Sequence, residues 1–175
     1  MTDDPQMIPA WRDGKLQPVD KLLVHQLGLR HPAISVFVLD DQGRILLQQR
    51  AMCKYHTPGL WANTCCTHPH WGEDPTDTAP RRLQQELGIT GLTLTHRGQL
   101  EYNADVGNNL HEHEVVEVFT AQAPADMRIT PNPAEVQATK WLHTNDLTRA
   151  LHATPDDFTP WLHIYMEHHA DMVLG

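Results

Sequence analysis

Apolar and polar positions sort most clearly in two short stretches joined by a turn signal. "AISVFVLD" (33–40) is β-branched and aromatic, and "RILLQQR" (44–50) has an apolar centre. Between them stands "DQG", which favours a tight connection, so the pattern predicts two strands joined as a hairpin. "WANTCCTH" (61–68) can also run extended. "LTLTHRGQLEY" (92–102), "LHEHEVVEVFTAQ" (110–122) and "ATKWLH" (138–143) predict further strands. "PTDTAPRRLQQELG" (75–88) reads as a helix ending at Gly88, a suitable residue just past a helix terminus. Pro80 fits only a first turn, which puts the helix start near Asp77. "TNDLTRAL" (144–151) predicts a short capped helix, and "DDFTPWLHIYMEHHADMVL" (156–174) a C-terminal helix with Pro160 near its first turn. Strands interspersed with a few helices imply an α/β sandwich, a mixed β-sheet flanked by helices. No boundary interrupts the pattern. Residues 1–175 are therefore read as one domain, with 1–17 as a peripheral N-terminal segment.

The same alternation sorts the reactive side chains. On an extended 63–68, Thr64, Cys66 and His68 share one face, while Cys65 and Thr67 share the other. At most one of the adjacent cysteines then accompanies His68. A zinc knot in "NTCCTHPHWGE" (63–73) would need a tight turn instead, and its spacing is not that of a closed finger. In "NLHEHEVVEVF" (109–119), Glu112 and Glu114 share a face and His111 and His113 point the other way. Two carboxylates at i and i+2 stand ~7 Å apart. Without a cation between them, their repulsion would raise one pKa. Both a solvated edge strand and a metal clamp satisfy that pattern. Upstream, His25 and His31 flank a short loop that enters the first core strand. Three imidazoles with His68 and two carboxylates would suit Mn2+, Zn2+ or Fe2+ better than an all-oxygen Mg2+ site.

Charge narrows the class of ligand. The 175 residues carry 13 basic and 22 acidic side chains, a formal net charge of −9. Such a chain offers no general field for a phosphate backbone, so no nucleic acid is expected. An anionic ligand would need a local cluster, and Lys21, Arg50, Lys54, Arg81 and Arg82 stand near the His/Glu residues. Together they suggest a diphosphate pocket, although each alone also fits a surface charge. No apolar run approaches a membrane span, and the acidic, proline-broken N-terminus does not read as a signal peptide. Cys53, Cys65 and Cys66 make no disulfide framework, so a cytoplasmic location is expected. Of the 13 histidines, His96, His143, His152, His163, His168 and His169 look scattered over the surface.

"THPHWGEDPTDTAPRRLQQELGI" (67–89) resembles a degraded Nudix box. Ile89, Gly88, Glu86, Leu83, Arg81 and Glu73 match that pattern. Thr67 stands for its opening glycine. Arg82 and Gln85 stand for two glutamates that help bind Mg2+ in Nudix hydrolases, which argues against diphosphate hydrolysis. The wider set is "RHPAIS" after "VH", "RA…PGLW.N", "C.HP..GE", "RR…ELG", "E.E" and "F.PW". In this order and spacing, over about residues 18–165, it resembles the type I isopentenyl-diphosphate isomerases, a family with the Nudix-type sandwich fold.

The resemblance implies an enzyme that interconverts isopentenyl and dimethylallyl diphosphate by a 1,3-proton shift and supplies the allylic starter of isoprenoid biosynthesis. It implies a divalent metal site, for Mn2+ or Zn2+, at His25, His31, His68, Glu112 and Glu114. Cys66 is then the catalytic thiol, and Glu114 is both ligand and second catalytic group. Tyr102 would hydrogen-bond the catalytic carboxylate, and Trp161 would lie over the reacting carbons. Lys21, Arg50, Lys54 and Arg82 would hold the diphosphate, and Glu86 a Mg2+ that arrives with it. Its partners are expected to be small isoprenoid diphosphates, with no membrane insertion and a monomeric state. Cys53, His56, His70, His111 and His113 receive no role, and Glu73 stands as a relic of the box. The alternatives are a Nudix hydrolase of a nucleoside diphosphate derivative and a metal-binding module without activity.

Overall fold

The computed structural model describes residues 7–175. In chain order the strands and helices are β1 (Met7–Arg12), β2 (Lys15–Asp20), α1 (Lys21–Leu27), β3 (Arg30–Leu39), β4 (Arg44–Arg50), β5 (Trp61–Ala62) and β6 (Cys65–Thr67). There follow α2 (Pro75–Leu87), β7 (Thr95–Asp105), β8 (His111–Gln122), β9 (Val136–His143), α3 (Thr144–Ala153), α4 (Pro160–His168) and α5 (Ala170–Leu174).

The main sheet runs β5-β4-β3-β8-β7, with β6 also on β3 and β9 also on β4. Its centre is the parallel pair β3 and β8, in register from Arg30↔His113 to Leu39↔Gln122. Strands covered on both faces carry near-continuous apolar runs, which is how "AISVFV" reads. On one face Ile34, Val36, Leu46 and Phe119 pack under Leu83 and Leu87 of α2. On the other, Phe37, Ile45, Leu47 and Val118 meet Leu147 and Leu151 of α3 and Trp161, Leu162 and Tyr165 of α4. The adjacent cysteines divide between the two: Cys65 belongs to the α2 layer and Cys66 packs against the α3/α4 layer.

Several sequence expectations are corrected. The "DQG" turn forms, with Gly43 N–H donating to the Asp40 carbonyl at 3.1 Å. Yet β3 and β4 pair only at Leu39↔Ile45, because β4 finds β9 along its length instead. Helix α2 starts at Pro75 rather than near Asp77, since Asp74 caps it by accepting from Thr76 N–H. Pro80 thus falls in the second turn on the exposed side, where the carbonyl that loses its helix partner is open to solvent rather than to the core. Helix α3 has no side-chain cap, as His143 holds the capping position. The C-terminal segment is a 3-10 turn (Pro155–Asp157), α4 and α5, because the chain turns extended at Phe158 and leaves helical geometry again at His169.

Residues 7–20 form a hairpin that the apolar pattern did not signal. Its turn is Asp13-Gly14, both at positive φ, the connection whose twist matches paired strands. Ile8, Ala10 and Val19 bury against Val24 of α1 in a third small cluster. Residues 1–6 of the expected peripheral segment lie outside the described residues.

Candidate active site and metal centre

Strands β3, β8 and β7, helix α1 and the end of β6 converge where β3 and β8 begin. The parallel register sets His31 beside Glu114, and the antiparallel register sets Tyr102 of β7 on its other side. Alternation along β8 turns Glu112 and Glu114 inward and leaves His111 exposed and His113 half-buried against Glu101. Helix α1 supplies His25. It is positioned by Asp20, whose side chain caps the helix, and by Gly28, whose left-handed φ of 60° ends it. His68 follows directly after β6.

These groups fit a cation. His25 Nδ1–H donates to the Lys21 carbonyl and His31 Nδ1–H to the Leu29 carbonyl, each at 2.7 Å. Both Nε2 lone pairs therefore face inward, and that of His25 is buried without a hydrogen-bond partner. His31 Nε2 lies 3.2 Å from His68 Nε2 and 3.5 Å from Glu114 Oε1, and His68 Nε2 lies 3.0 Å from Glu114 Oε1. Ligand atoms about 2.1 Å from one ion stand about 3.0–3.4 Å apart in tetrahedral or octahedral geometry, so the spacing suits a shared metal. Ligand atoms of His25, His31, His68 and Glu114 all fall within 4.8 Å of one another, as do those of His25, His56 and Glu112.

The protonation states agree. Burial, reinforced by the neighbouring His68 and His31, holds His25 down to about 3. Burial holds His68 down to about 4 against the upward pull of Glu114. Burial works to raise Glu114, but the adjoining His31 and His68 rings overcome it and keep the carboxyl below its ordinary range. Burial and the Glu114 charge push Glu112 up. Tyr102, raised by burial and both carboxylates, stays protonated and donates to Glu114 Oε2 at 2.7 Å and toward Glu112 Oε2 at 3.2 Å.

Cys66 opens onto the same cavity. Its Sγ lies 2.9 Å from Asn63 Oδ1, to which it donates, and 3.1 Å from Ser35 Oγ. Burial raises the thiol, the Ser35 contact offsets part of that, and Glu114 raises it further, so the sulfur keeps its proton at neutral pH. Cys65 is sealed in the opposite layer, and Cys53 is exposed. Trp161 is buried, and Arg50 lies 5.4 Å from its ring centre.

The cavity is narrow, about 20 Å³, and is lined by Cys66, Glu112, Glu114 and Trp161 and by Lys21, Arg50, Lys54 and Arg82. Glu86 lines the cationic end but takes no part in the His/Glu cluster. Its oxygens accept from Arg82 at 2.7 Å and Gln48 at 2.8 Å. Arg81 leaves the expected cationic set and makes a two-pronged pair with Glu73, at 2.6 and 2.7 Å. Glu73, read as a relic, thus ties the loop to α2.

Two buried residues escaped the sequence reading. Glu135 pairs with Lys54 and lies 3.4 Å from Arg82. His56 lies 2.8 Å from Glu112. Both sit in loops, where no alternation shows which way a side chain points. The one available signal for His56 was its closeness in sequence to Arg50 and Lys54.

The NUDIX domain family matches residues 29–162. The chain is 62% identical over 168 residues to the isopentenyl-diphosphate Delta-isomerase of Rhodobacter capsulatus, covering 96% of this chain and 95% of that one. It is 56% identical over 171 residues to that of Cereibacter sphaeroides, covering 98% and 96%. A solved structure from Deinococcus radiodurans is similar with a TM-score of 0.73 at 14% identity, covering 92% of this chain and 97% of that one. A MutT NUDIX hydrolase from Burkholderia pseudomallei is similar with a TM-score of 0.60 at 24% identity, covering 80% and 98%. At such identities these two likenesses show the fold alone. No helix among the described residues is long and apolar enough to cross a membrane.

Proposed function

This chain belongs to the isopentenyl-diphosphate Delta-isomerase family of NUDIX-domain proteins, and we propose that it interconverts isopentenyl and dimethylallyl diphosphate by a 1,3-allylic proton shift. The observation that carries this reading is one cavity bordered at one end by a protonated thiol, an ionised carboxylate and a tryptophan, and at the other by four cations. An unactivated alkene is a weak base, so its isomerisation needs one group to add a proton at the terminal CH2 and another to remove one from the CH2 next to the diphosphate-bearing carbon. Cys66 and Glu114, on β6 and β8, supply that pair. Because the two isomers interconvert, each group is donor in one direction and acceptor in the other.

Tyr102 holds Glu114 in place through its hydroxyl. Trp161 offers a π face to the tertiary cation, worth on the order of 2 kcal/mol when desolvated, and it shields the carbons from water. Lys21, Arg50, Lys54 and Arg82 hold the diphosphate. His25, His31, His68, Glu112 and Glu114 would hold Mn2+ or Zn2+, whose charge would tune the acidity of Glu114. Glu86 would hold a Mg2+ that accompanies the diphosphate. Arg82 stands where a hydrolase would carry a metal-binding glutamate and offers a fork for phosphate instead.

The test is incubation of the protein with isopentenyl diphosphate and Mg2+ in D2O, read by NMR. The expected product is dimethylallyl diphosphate carrying deuterium in a methyl group. No isomerisation, with release of phosphate or monophosphate from nucleoside diphosphate derivatives, would overturn the reading in favour of a hydrolase.

A further inference from the structure

His56 enters none of the roles above, yet it is buried inside the metal cluster. Its Nε2 lies 2.8 Å from Glu112 Oε1. Its other ring nitrogen, Nδ1, lies 3.5 Å from Arg50 Nη2, a long contact, and Arg50 also donates to the His56 carbonyl at 3.2 Å. A guanidinium has only donors, so Nδ1 faces it as acceptor and the ring proton sits on Nε2. Nε2–H therefore donates to the carboxylate. The ring packs between Tyr55 and Trp161, tilted to both, with centroids 4.4 Å and 6.0 Å away.

Glu112 needs this donor. Tyr102 has one hydroxyl proton and two carboxylates within reach, and Glu114 is the nearer at 2.7 Å against 3.2 Å for Glu112. The firm hydrogen bond on Glu112 is the one from His56. We propose that His56 is a positioning residue of the metal centre, fixing one oxygen of Glu112 so that the carboxylate is aimed at the ion. Carboxylate ligands held by such an outer partner typically lose about 10–100-fold in metal affinity when the partner is removed. A protonated Nε2 has no lone pair, so His56 acts through Glu112 and not as a ligand itself. The same residue touches Arg50 on its far side and so ties the diphosphate end of the cavity to the metal end.

This inference rests on the metal centre proposed above, and the test separates the two. Free Mn2+ is counted by its electron paramagnetic resonance signal while metal-stripped protein is titrated at constant pH. His56→Leu keeps the volume but removes the donor, and His56→Gln keeps an N–H at the Nε2 position. His56→Asn, whose amide stops at the Nδ1 position, is a second removal should Leu disturb the fold, which thermal melting checks. Expected are a loss of Mn2+ affinity of about 10-fold or more for Leu and Asn, and a change within about 3-fold for Gln. Equal affinity for wild type, Leu and Asn variants would overturn the role of His56 while leaving the metal centre standing. A loss as large for Gln as for Leu would make His56 a direct ligand and overturn positioning. Wild-type protein that binds no Mn2+ would overturn the centre itself.

Discussion

Cys65 and Cys66 are adjacent in sequence but fall in different layers, so replacing each by alanine should give opposite outcomes. The Cys65 sulfur is fully buried among Ile34, Val36, Leu83 and Leu87. Its removal leaves a cavity smaller than that of a leucine truncation, costing about 1–2 kcal/mol. For a chain of this length that corresponds to a fall in Tm of about 2–8 °C, with kcat unchanged. Cys66→Ala removes the hydrogen bond to Asn63 Oδ1 and the contact with Ser35 Oγ, while the Asn63 amide N–H keeps its bonds to Ser35 Oγ at 2.8 Å and the Val36 carbonyl at 2.9 Å. The fold should then lose only about 1 kcal/mol. Losing a positioned proton donor, however, lowers a rate by about 10²–10⁴, or about 2.7–5.4 kcal/mol of activation free energy. The assay is formation of dimethylallyl diphosphate from labelled isopentenyl diphosphate, alongside thermal melts, in a Cys53→Ser background that removes the exposed thiol. Near-wild-type turnover by Cys66→Ala, or equal loss of turnover in both variants, would refute the reasoning.

Tyr102→Phe removes the hydroxyl 2.7 Å from Glu114 Oε2. A hydrogen bond to a charged group is worth about 1.5–3 kcal/mol, so kcat should fall about 10–100-fold with KM nearly constant; a change confined to KM would contradict a role at Glu114. Metal-stripped protein should melt lower than protein given Mn2+ or Zn2+. Free ion at 100 times Kd adds about 2.7 kcal/mol of stability, and identical melting curves would speak against the centre. Partial burial works to raise Glu73, but Arg81 and the His70 N–H hold it at about 2 rather than its ordinary 4.5. The native state therefore binds fewer protons, and this contribution is full above pH 4.5 and lost as pH falls through about 2. Screened by solvent at the rim, the pair should be worth about 1 kcal/mol near neutrality. The stability difference between wild type and Arg81→Met should shrink as pH falls from 4.5 through about 2, leaving the pH-independent loss of the Arg81–Gln85 bond, and denaturant melts that keep the difference constant with pH would show that the pair is not its source.

Much of the site was legible because it lies on strands. Period-two alternation put Glu112 and Glu114 inward, set His111 and His113 outward, and separated Cys66 from Cys65, as their burial bears out. The sequence motifs placed the box helix and Gly88, where Thr130 leaves a Cβ no room at 2.9 Å. The rest was hidden for definite reasons. The departure of β4 from β3 depends on β9, some ninety residues downstream, and no local pattern carries that competition. Glu135 and His56 lie in loops without a period. The hairpin before α1 did carry a signal, the "DG" at residues 13–14, but its flanking residues are mostly exposed and its apolar alternation is weak.

Charge accounts for the division of the cavity. Where the diphosphate is proposed to bind, Lys54 is already matched by Glu135, and Arg82 lies against both Glu86 and Glu135. These partners are buried, so none can be left bare without a penalty larger than that of a surface pair. A diphosphate entering here adds several negative charges to a chain whose formal charge is already −9. Lys21, Arg50, Lys54 and Arg82 together would not balance it beside Glu86, Glu114 and Glu135. A dication arriving with the substrate restores neutrality without pulling Arg82 away from Glu86, and that is the physical case for Mg2+ at this end. The three histidines at the other end serve a different need. Their ring nitrogens would hold a resident ion next to Glu114, the group proposed to move the proton, and Arg82 occupies the helix position where a hydrolase would carry a metal-binding glutamate. On the proposed reading, two cations in one cavity would thus have separate work, one on the anion and one on the acid.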